Sequence, residues 1–214
     1  IVTSNQRTTI NSVGLQSGIT LREDWATNPL PQDVSVDQMA DLLSRTSAKL
    51  YPELPFLNGR YRIAKDRITD IDGKEPLPFI QILIYNHLCM PDPPPPSGEW
   101  ITFASVPASH AKDKAWAGHV EEEIAKHFAG DVKGLENACG RLGGRPAVMP
   151  GNHDAAFEFH FFPHYPVLLL FYDALPEENF PAQCRLLLDK TAPRYLDIES
   201  IVVLGEEFAG RLTA

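Results

Sequence analysis

The stretch AAFEFHFFPHYPVLLLFY, residues 155–172, decides the fold, because it predicts two apolar strands joined by a short turn. Residues 156–162 and 166–172 are rich in aromatic and branched side chains, which favour strands. Pro163 and Pro166 interrupt the run, so the chain is expected to reverse between them. We therefore predict an antiparallel hairpin at the centre of a sheet.

Side chains alternate between the two faces of a strand, which divides the first strand into an apolar and a mixed set. One face is expected to carry Phe157, Phe159 and Phe161, and the other Glu158, His160 and Phe162.

The residues before the hairpin, Gly151–Asp154, repeat the Gly-Asn-His-Asp of metallophosphoesterases, in which Asn and His bind a metal pair. A two-metal site needs further Asp and His ligands from several loops. The chain has no Asp-x-His, Gly130-Asp131 is followed by Gly134 where a second Asp is required, and no late Gly-His-x-His occurs. A turn with Pro150, Gly151 and Asn152 explains the same letters. A metal-dependent hydrolase using His153 remains the alternative.

The composition excludes several classes of protein. A net charge of −9 with scattered Lys and Arg argues against nucleic acid as a partner. No apolar run approaches the roughly 20 residues of a membrane span. Cys89, Cys139 and Cys184 are far apart and form no Cys-x-x-Cys pair, which favours buried thiols in a reducing compartment. We expect a cytoplasmic protein, unless a leader was removed before residue 1.

The pattern of elements predicts an α+β fold. Residues 1–35 are polar and aperiodic, so we expect an extended N-terminal arm before one compact domain at 36–214. The expected helices lie at 35–50, 77–90, 109–130, 132–142 and 197–212, with a hairpin at 60–75 turning at Asp72-Gly73 and a strand at 98–107. Helices and strands follow no regular βαβ order, which favours a mixed or antiparallel sheet flanked by helices.

From about residue 98 to its end, the chain resembles DUF3786, a domain of unknown function of anaerobic bacteria and archaea. The matching segments are residues 153–157, 163–166, 178–182, 187–189 and 195–199, which read HDAAF, PHYP, ENFPA, LLD and YLDIE. His153 departs from the family's Gly, and Asn179 interrupts its Glu-Phe pair. The resemblance implies no established catalytic residue, and it implies an association with iron–sulfur modules and corrinoid metabolism.

Two groups of histidines are candidate ligands. His119, Glu123 and His127 follow at intervals of four, so one ridge of a helix could offer them to Zn²⁺ or Fe²⁺; a solvated face is the alternative. Around the aromatic strands, a tetrapyrrole such as haem or a corrinoid could be bound by His153, His160, His164 and Tyr165. Histidines satisfied by backbone carbonyls are the alternative there.

The rim of the hairpin is a candidate cation site. An antiparallel pair reverses direction, so the start of the first strand and the end of the second are expected to meet. That arrangement would gather His153, Asp154, Asp173, Glu177 and Glu178. A solvated acidic loop is the alternative.

These observations favour a non-catalytic binding or accessory protein of an anaerobe, linked to metal, corrinoid or iron–sulfur chemistry. A protein partner or a homo-oligomer is expected, because the arm could gain order on another surface. No Gly-x-Ser-x-Gly, Walker A or Gly-x-Gly-x-x-Gly motif supports a hydrolase nucleophile or a nucleotide site. The metal-dependent hydrolase and a purely structural subunit remain the alternatives.

Overall fold

The structure is a computed structural model that describes residues 53–64, 67–88 and 94–214. The predicted arm at 1–35, the predicted helix at 35–50 and Cys89 lie outside the described residues.

The described residues form two antiparallel sheets and several helices, which confirms the α+β fold. The strands are β1 Glu53–Phe56, β2 Gly59–Ile63, β3 Ile68–Asp70, β4 Trp100–Ile101, β5 Arg145–Pro146, β6 Ala155–Phe162, β7 Tyr165–Tyr172 and β8 Gln183–Asp189. The helices are α1 Pro78–Leu88, α2 Asp113–Trp116, α3 Glu122–Phe128, α4 Val132–Arg141, α5 Ala192–Tyr195 and α6 Ile198–Leu212. A π-helical turn, Ala117–Glu121, joins α2 to α3. None of the described helices is both long and apolar enough to cross a membrane.

The large sheet has the order β4-β8-β7-β6-β5, so the predicted hairpin β6–β7 lies near its centre. Its register runs from Ala155 opposite Phe171 to Phe162 opposite Tyr165. β7 is buried along nearly its whole length and has a strand on each side. A strand in that position is stabilised by apolar side chains throughout, as its sequence has.

A β-bulge near the end of β6 breaks the predicted alternation of faces. The register shifts between His160 and Phe162, and such a bulge adds one residue that has no opposite partner. Phe159 and Phe161 pack on Phe208 of α6, as the alternation requires. Phe162 is buried like its neighbour Phe161, so exposed and buried residues no longer alternate there. The alternation therefore holds only up to the bulge.

The small sheet, β1-β2-β3, contains the predicted hairpin, but the turn was wrongly placed. β2 and β3 pair from Tyr61 opposite Asp70 to Ile63 opposite Ile68, so the chain reverses between residues 63 and 68. Asp72-Gly73 forms a separate turn after β3, where the Asp70 carboxylate accepts hydrogen bonds from the amides of Asp72 and Lys74. Turn-forming residues do not by themselves show which strands they connect.

The predicted strand at 98–107 is also shorter than expected. β4 contains only two residues and is followed by a 3₁₀ turn, Phe103–Ser105. Phe103 turns inward and stacks on Trp116 of α2, with the ring centroids 4.4 Å apart. Burial of these two large rings stabilises the turn more than two further edge-strand residues would. As a result, β4 covers only one end of β8.

Candidate functional site

The residues that the sequence singled out lie in three separate parts of the large sheet. His153, Asp154 and Asp173 are near the start of β6 and the end of β7. His160 lies on β6 with its side chain exposed, next to Glu158. His164 and Tyr165 occupy the opposite end of the hairpin.

The rim brings Asp154 and Asp173 together, as predicted, but the two carboxylates bind backbone amides. Asp154 accepts a hydrogen bond of 2.7 Å from the amide of Asp173. Asp173 accepts hydrogen bonds of 2.7 Å from the amides of Gly130 and Ala174. The pair therefore fixes the ends of β6 and β7 to the loop after α3. Hydrogen bonds between carboxylates and amides are strong, so a cation would compete for oxygens that already have partners.

His153 directly follows the turn predicted at Pro150, Gly151 and Asn152, where the chain bends and Gly151 has a φ of +126°. Its Nδ1 is buried and has no hydrogen-bond partner among the described residues. Together with Asp154 it lines a shallow groove of about 540 Å³ between α4 and β5. Asn137 and the ion pair of Lys133 with Glu136 form the helical side of that groove.

Glu177 and Glu178 lie in a 3₁₀ turn, Pro176–Glu178, within the loop between β7 and β8. Over residues 53–64, 67–88 and 94–214, no group of three or more His, Cys, Asp or Glu is arranged to hold a metal ion. The five-residue cation site therefore remains a prediction, and only its two aspartates are shown in contact.

His160 bonds to Glu158, with 3.2 Å between Nε2 and Oε1, on the exposed side of β6. Tyr165 is buried and packs with its ring against Phe162 and Tyr195. The four predicted tetrapyrrole ligands are thus divided among the rim, where His153 lies, the exposed side of β6, where His160 lies, and the opposite end of the hairpin, where His164 and the buried Tyr165 lie.

The helical ridge of His119, Glu123 and His127 has a different geometry from the predicted one. The π-helical turn Ala117–Glu121 begins just before it, and the wider turn changes the angular spacing that an α-helix would give. His119 Nδ1 lies 2.8 Å from Glu206 of α6, and His127 packs edge-on against Phe128. His119 therefore joins two helices.

His87 is a buried histidine that the sequence reasoning missed. It lies in α1, and its ring stacks on Phe162 with centroids 4.1 Å apart and on Tyr195 at 5.5 Å. Burial, and in second place the nearby His164, lowers the pKa of His87 to about 3, so the ring is neutral. Its Nδ1 has no hydrogen-bond partner in the described part of the chain. The sequence did contain a signal for this buried histidine, because His87 is a titratable residue within a stretch predicted to form a buried helix.

A second groove, of about 480 Å³, lies between β8 and the helical run that includes the π-turn. Glu121, only 9% exposed, reaches across it. Its Oε1 accepts a hydrogen bond of 3.0 Å from the amide of Leu186, and its Oε2 one of 3.0 Å from Arg185. The sequence did not reveal this role, since Glu121 is the first of three consecutive glutamates and looks like part of a solvated face.

The loop beside this groove presents two large apolar side chains to solvent. Leu175 and Phe180 form an isolated antiparallel bridge, yet they are 54% and 56% exposed. Pro181 and Ala182, which follow directly, line the groove. We call Leu175, Phe180 and the residues lining the groove the docking surface.

The two described thiols are not suited to nucleophilic chemistry. Burial raises the pKa of Cys139 to about 12 and that of Cys184 well above its usual value. A thiol reacts as the thiolate, so both side chains are inert near neutral pH. They pack as apolar residues in the core.

Comparison with known proteins gives a match to a protein family. No curated protein and no solved structure matches the chain. A family model described as "Domain of unknown function (DUF3786)" matches residues 36–211. That match extends well upstream of the segment in which the sequence motifs were found, and it covers most of the 214 residues. The chain belongs to the DUF3786 family.

Proposed function

We propose that this chain is a non-catalytic binding protein that docks a partner protein on the docking surface. The observation that carries the proposal is the exposure of Leu175 and Phe180 in a loop whose backbone is closed by hydrogen bonds. The Leu175 amide donates to the Phe180 carbonyl at 2.9 Å, and the Phe180 amide donates to the Leu175 carbonyl at 3.1 Å.

A rigid loop that exposes apolar side chains is typical of a binding surface. The chain loses little conformational entropy on binding when the loop is already ordered, so more of the contact energy appears as affinity. Aromatic residues such as Phe180 are enriched at protein interfaces. The groove beside the loop supplies a concave surface into which a partner could insert.

The titratable groups of the described residues support binding rather than catalysis. The thiols are buried with raised pKa values, and His87 is buried with a lowered pKa. Asp154 and Asp173 are bound to backbone amides. These groups are held by the fold in places where they can serve its stability, and none is paired as a nucleophile with a general base.

The link to metal, corrinoid or iron–sulfur chemistry that the sequence analysis expected can be combined with this proposal. It would belong to the docked partner, because the described histidines and carboxylates do not converge on one point. A homo-oligomer would use the same docking surface, with a second copy in place of the partner.

The test is site-specific photo-crosslinking followed by binding measurements. A benzophenone side chain at position 180 should crosslink one partner in source cells, and the same group at position 77 should not. Leu77 is a matched control because it is 60% exposed and lies outside the docking surface. With the purified partner, we expect Phe180→Ser to weaken binding roughly 10- to 30-fold and Leu77→Ser to leave it unchanged. Equal crosslinking at both positions, or unchanged binding by Phe180→Ser, would contradict the proposal.

A further inference from the structure

Leu175 and Phe180 form a single apolar patch on the docking surface. They lie opposite each other in an isolated antiparallel bridge, and each donates its amide to the carbonyl of the other, at 2.9 and 3.1 Å. Side chains of residues directly opposite each other in an antiparallel pair lie on the same side, with Cβ atoms about 4.5–5.5 Å apart. The two exposed side chains therefore make one contact area, which we call the apolar pair.

Two glutamates lie at the tip of the loop that the apolar pair closes. Glu177 and Glu178 belong to the 3₁₀ turn Pro176–Glu178, and both are exposed. The Glu178 amide donates to the Leu175 carbonyl at 3.1 Å, and Asn179, at a φ of 58°, turns the chain back. Because a residue spans at most about 3.6 Å, the Cα atoms of both glutamates lie within about 11 Å of that of Leu175.

The charges that line the groove are paired, whereas those at the tip of the loop are not. Arg185 lies 3.0 Å from Glu121, and Lys126 lies 2.9 Å from Glu122. The two glutamates at the tip form no ion pair with any residue that the structure describes. The loop therefore presents negative charge, next to the apolar pair, that no described cation neutralises.

We propose that the partner docks with a basic amphipathic segment, which places a large apolar side chain against the apolar pair and Lys or Arg side chains against the two glutamates. This proposal rests on the proposed function and names the chemistry of the partner. Apolar and aromatic contacts supply most of the affinity of an interface. Complementary charges beside them speed association and exclude wrong partners.

Charge also distinguishes a basic partner from a second copy of this chain. In a two-fold symmetric dimer the same patch on each copy meets itself. A second copy would bring its own Glu177 and Glu178 to the acidic loop, and each copy carries a net charge of −9. Like charges brought together across an interface oppose binding. The loop therefore fits a basic segment better than a second copy.

The first experiment selects peptides from a random dodecapeptide display library against the full chain. We expect the enriched peptides to carry Lys or Arg within four residues of a large apolar residue, because the two glutamates follow Leu175 within three residues. The same selection on Glu177→Gln/Glu178→Gln should lose the preference for basic residues. Asp72→Asn/Glu75→Gln is the matched control, since it removes the same number of exposed acidic groups beside Leu77, outside the docking surface. It should keep the preference.

The second experiment measures the binding kinetics of one enriched peptide to the purified full chain. Raising NaCl from roughly 50 to roughly 500 mM shortens the range of charge interactions to a few ångströms. The association rate constant should then fall at least about five-fold, and the dissociation rate constant should change less than about two-fold. Glu177→Gln/Glu178→Gln should weaken binding roughly three- to ten-fold, because each exposed ion pair contributes a small free energy. Asp72→Asn/Glu75→Gln should bind as the wild type does.

The outcomes separate this proposal from the proposed function. Weaker binding by Phe180→Ser without an effect of Glu177→Gln/Glu178→Gln retains the docking surface and rejects the basic segment. Equal weakening by the Glu177→Gln/Glu178→Gln and Asp72→Asn/Glu75→Gln variants also rejects it, since only the overall charge would then act. Binding that is insensitive to Phe180→Ser rejects the apolar pair and the proposed function with it.

Two further outcomes would assign the docking surface to another occupant. A dimer in sedimentation that Phe180→Ser dissociates would assign it to a second copy. A crosslink from position 180 to residues of the same chain would assign it to an intramolecular contact. Either result contradicts the basic partner, as does a selection that enriches no peptide.

Discussion

Two carboxylates serve the same edge of β8, and they do so in different ways. Asp189, 1% exposed, accepts hydrogen bonds from the amide and hydroxyl of Ser97, the amide of Gly98, and the amide and hydroxyl of Thr191. Glu121 accepts one hydrogen bond from a backbone amide and one from Arg185. The first carboxylate ties the segment before β4 to the end of β8, whereas the second reaches from a helical turn to a single strand.

The difference shows that one sheet edge is closed by main chain at one end and by a single side chain at the other. Where β4 covers β8, the closure is main chain, and Asp189 fixes the turn that leads into it. Where β4 ends, the amide of Leu186 is bound by the side chain of Glu121, which is itself buried.

The largest expected effect is the loss of stability on removing the Asp189 carboxylate, which should exceed the loss on removing the Glu121 carboxylate. Asp189→Ala should lower the free energy of unfolding by about 3–4 kcal/mol, because it removes the charged, buried acceptor of the hydrogen bonds from Ser97, Gly98 and Thr191. Urea denaturation followed by fluorescence measures it, and Asp189→Asn, which keeps one acceptor oxygen, is the control with a smaller expected loss. A loss below about 1 kcal/mol in Asp189→Ala would show that Asp189 does not hold the edge.

Acid titration distinguishes Asp189 from the buried His87. Burial lowers the pKa of His87 from 6.5 to about 3, so between these values the unfolded chain binds a proton that the folded chain does not. Stability is therefore full above pH 6.5 and falls as the pH decreases, by about 2 kcal/mol at pH 5. His87→Phe keeps a stacked ring and should abolish this slope. The measurement is the free energy of unfolding at several pH values. An unchanged pH dependence in His87→Phe would show that His87 does not cause the loss of stability.

In the His87→Phe variant, the contribution of the Asp189 carboxylate to the free energy of unfolding should become measurable at lower pH. Burial by itself would raise the pKa of Asp189, but hydrogen bonds from Thr191 and Ser97 outweigh it and lower the pKa below the usual 3.8. The stabilisation is therefore present above pH 3.8 and is lost as the pH falls through the lower, folded-state value. Adding Asp189→Asn to His87→Phe should remove this acid-induced loss. If the double variant still loses stability below pH 3.8 as His87→Phe does, another carboxylate is responsible.

Glu121→Ala should be less damaging than Asp189→Ala, with a loss of about 1–2 kcal/mol, because it leaves only the Leu186 amide and Arg185 without their partner. The same urea denaturation compares the two variants directly. Glu121→Gln should lose less than Glu121→Ala, since its amide oxygen can still accept from Leu186. A loss in Glu121→Ala equal to that in Asp189→Ala would remove the distinction between the two carboxylates.

The smallest expected effect concerns the exposed loop. Phe180→Ser should change the free energy of unfolding by no more than about 0.5 kcal/mol, because an exposed side chain contributes little to the core. Leu77→Ser, at a similar exposure, is the matched control in the same denaturation assay. A large loss in Phe180→Ser alone would mean that Phe180 stabilises the fold, and the docking surface would lose its main support.

The predicted hydrolase has its own direct test. Asn152→Ala and His153→Ala should leave any phosphoesterase activity at background, because the chain lacks the partner motifs that would complete a two-metal site. A metal-dependent rate on a generic phosphodiester that both substitutions abolish would establish the alternative.

Local patterns in the sequence were sufficient for the hairpin of β6 and β7, for α1, α4 and α6, and for the family. Each of these depends on neighbouring residues: apolar side chains at periods of 2 or 3.6 along one segment, and short motifs read in order. They also predicted that Asp154 and Asp173 would meet, since an antiparallel hairpin brings its ends together. Where an apolar period runs uninterrupted along one segment, as in these elements, the sequence was sufficient to predict the element.

Contacts between distant segments were decided only by the tertiary structure. Glu121 meets Leu186 at a separation of 65 residues, and the Asp189 network joins residues 91 and 92 positions apart. The bulge at Phe162 fits the packing of that ring against His87 of α1, which no pattern within β6 could encode. Burial sets the pKa of His87, and it depends on how α1, β6 and α5 pack together. Periodicity shows which side of a segment is apolar, but only the folded chain shows what lies against it.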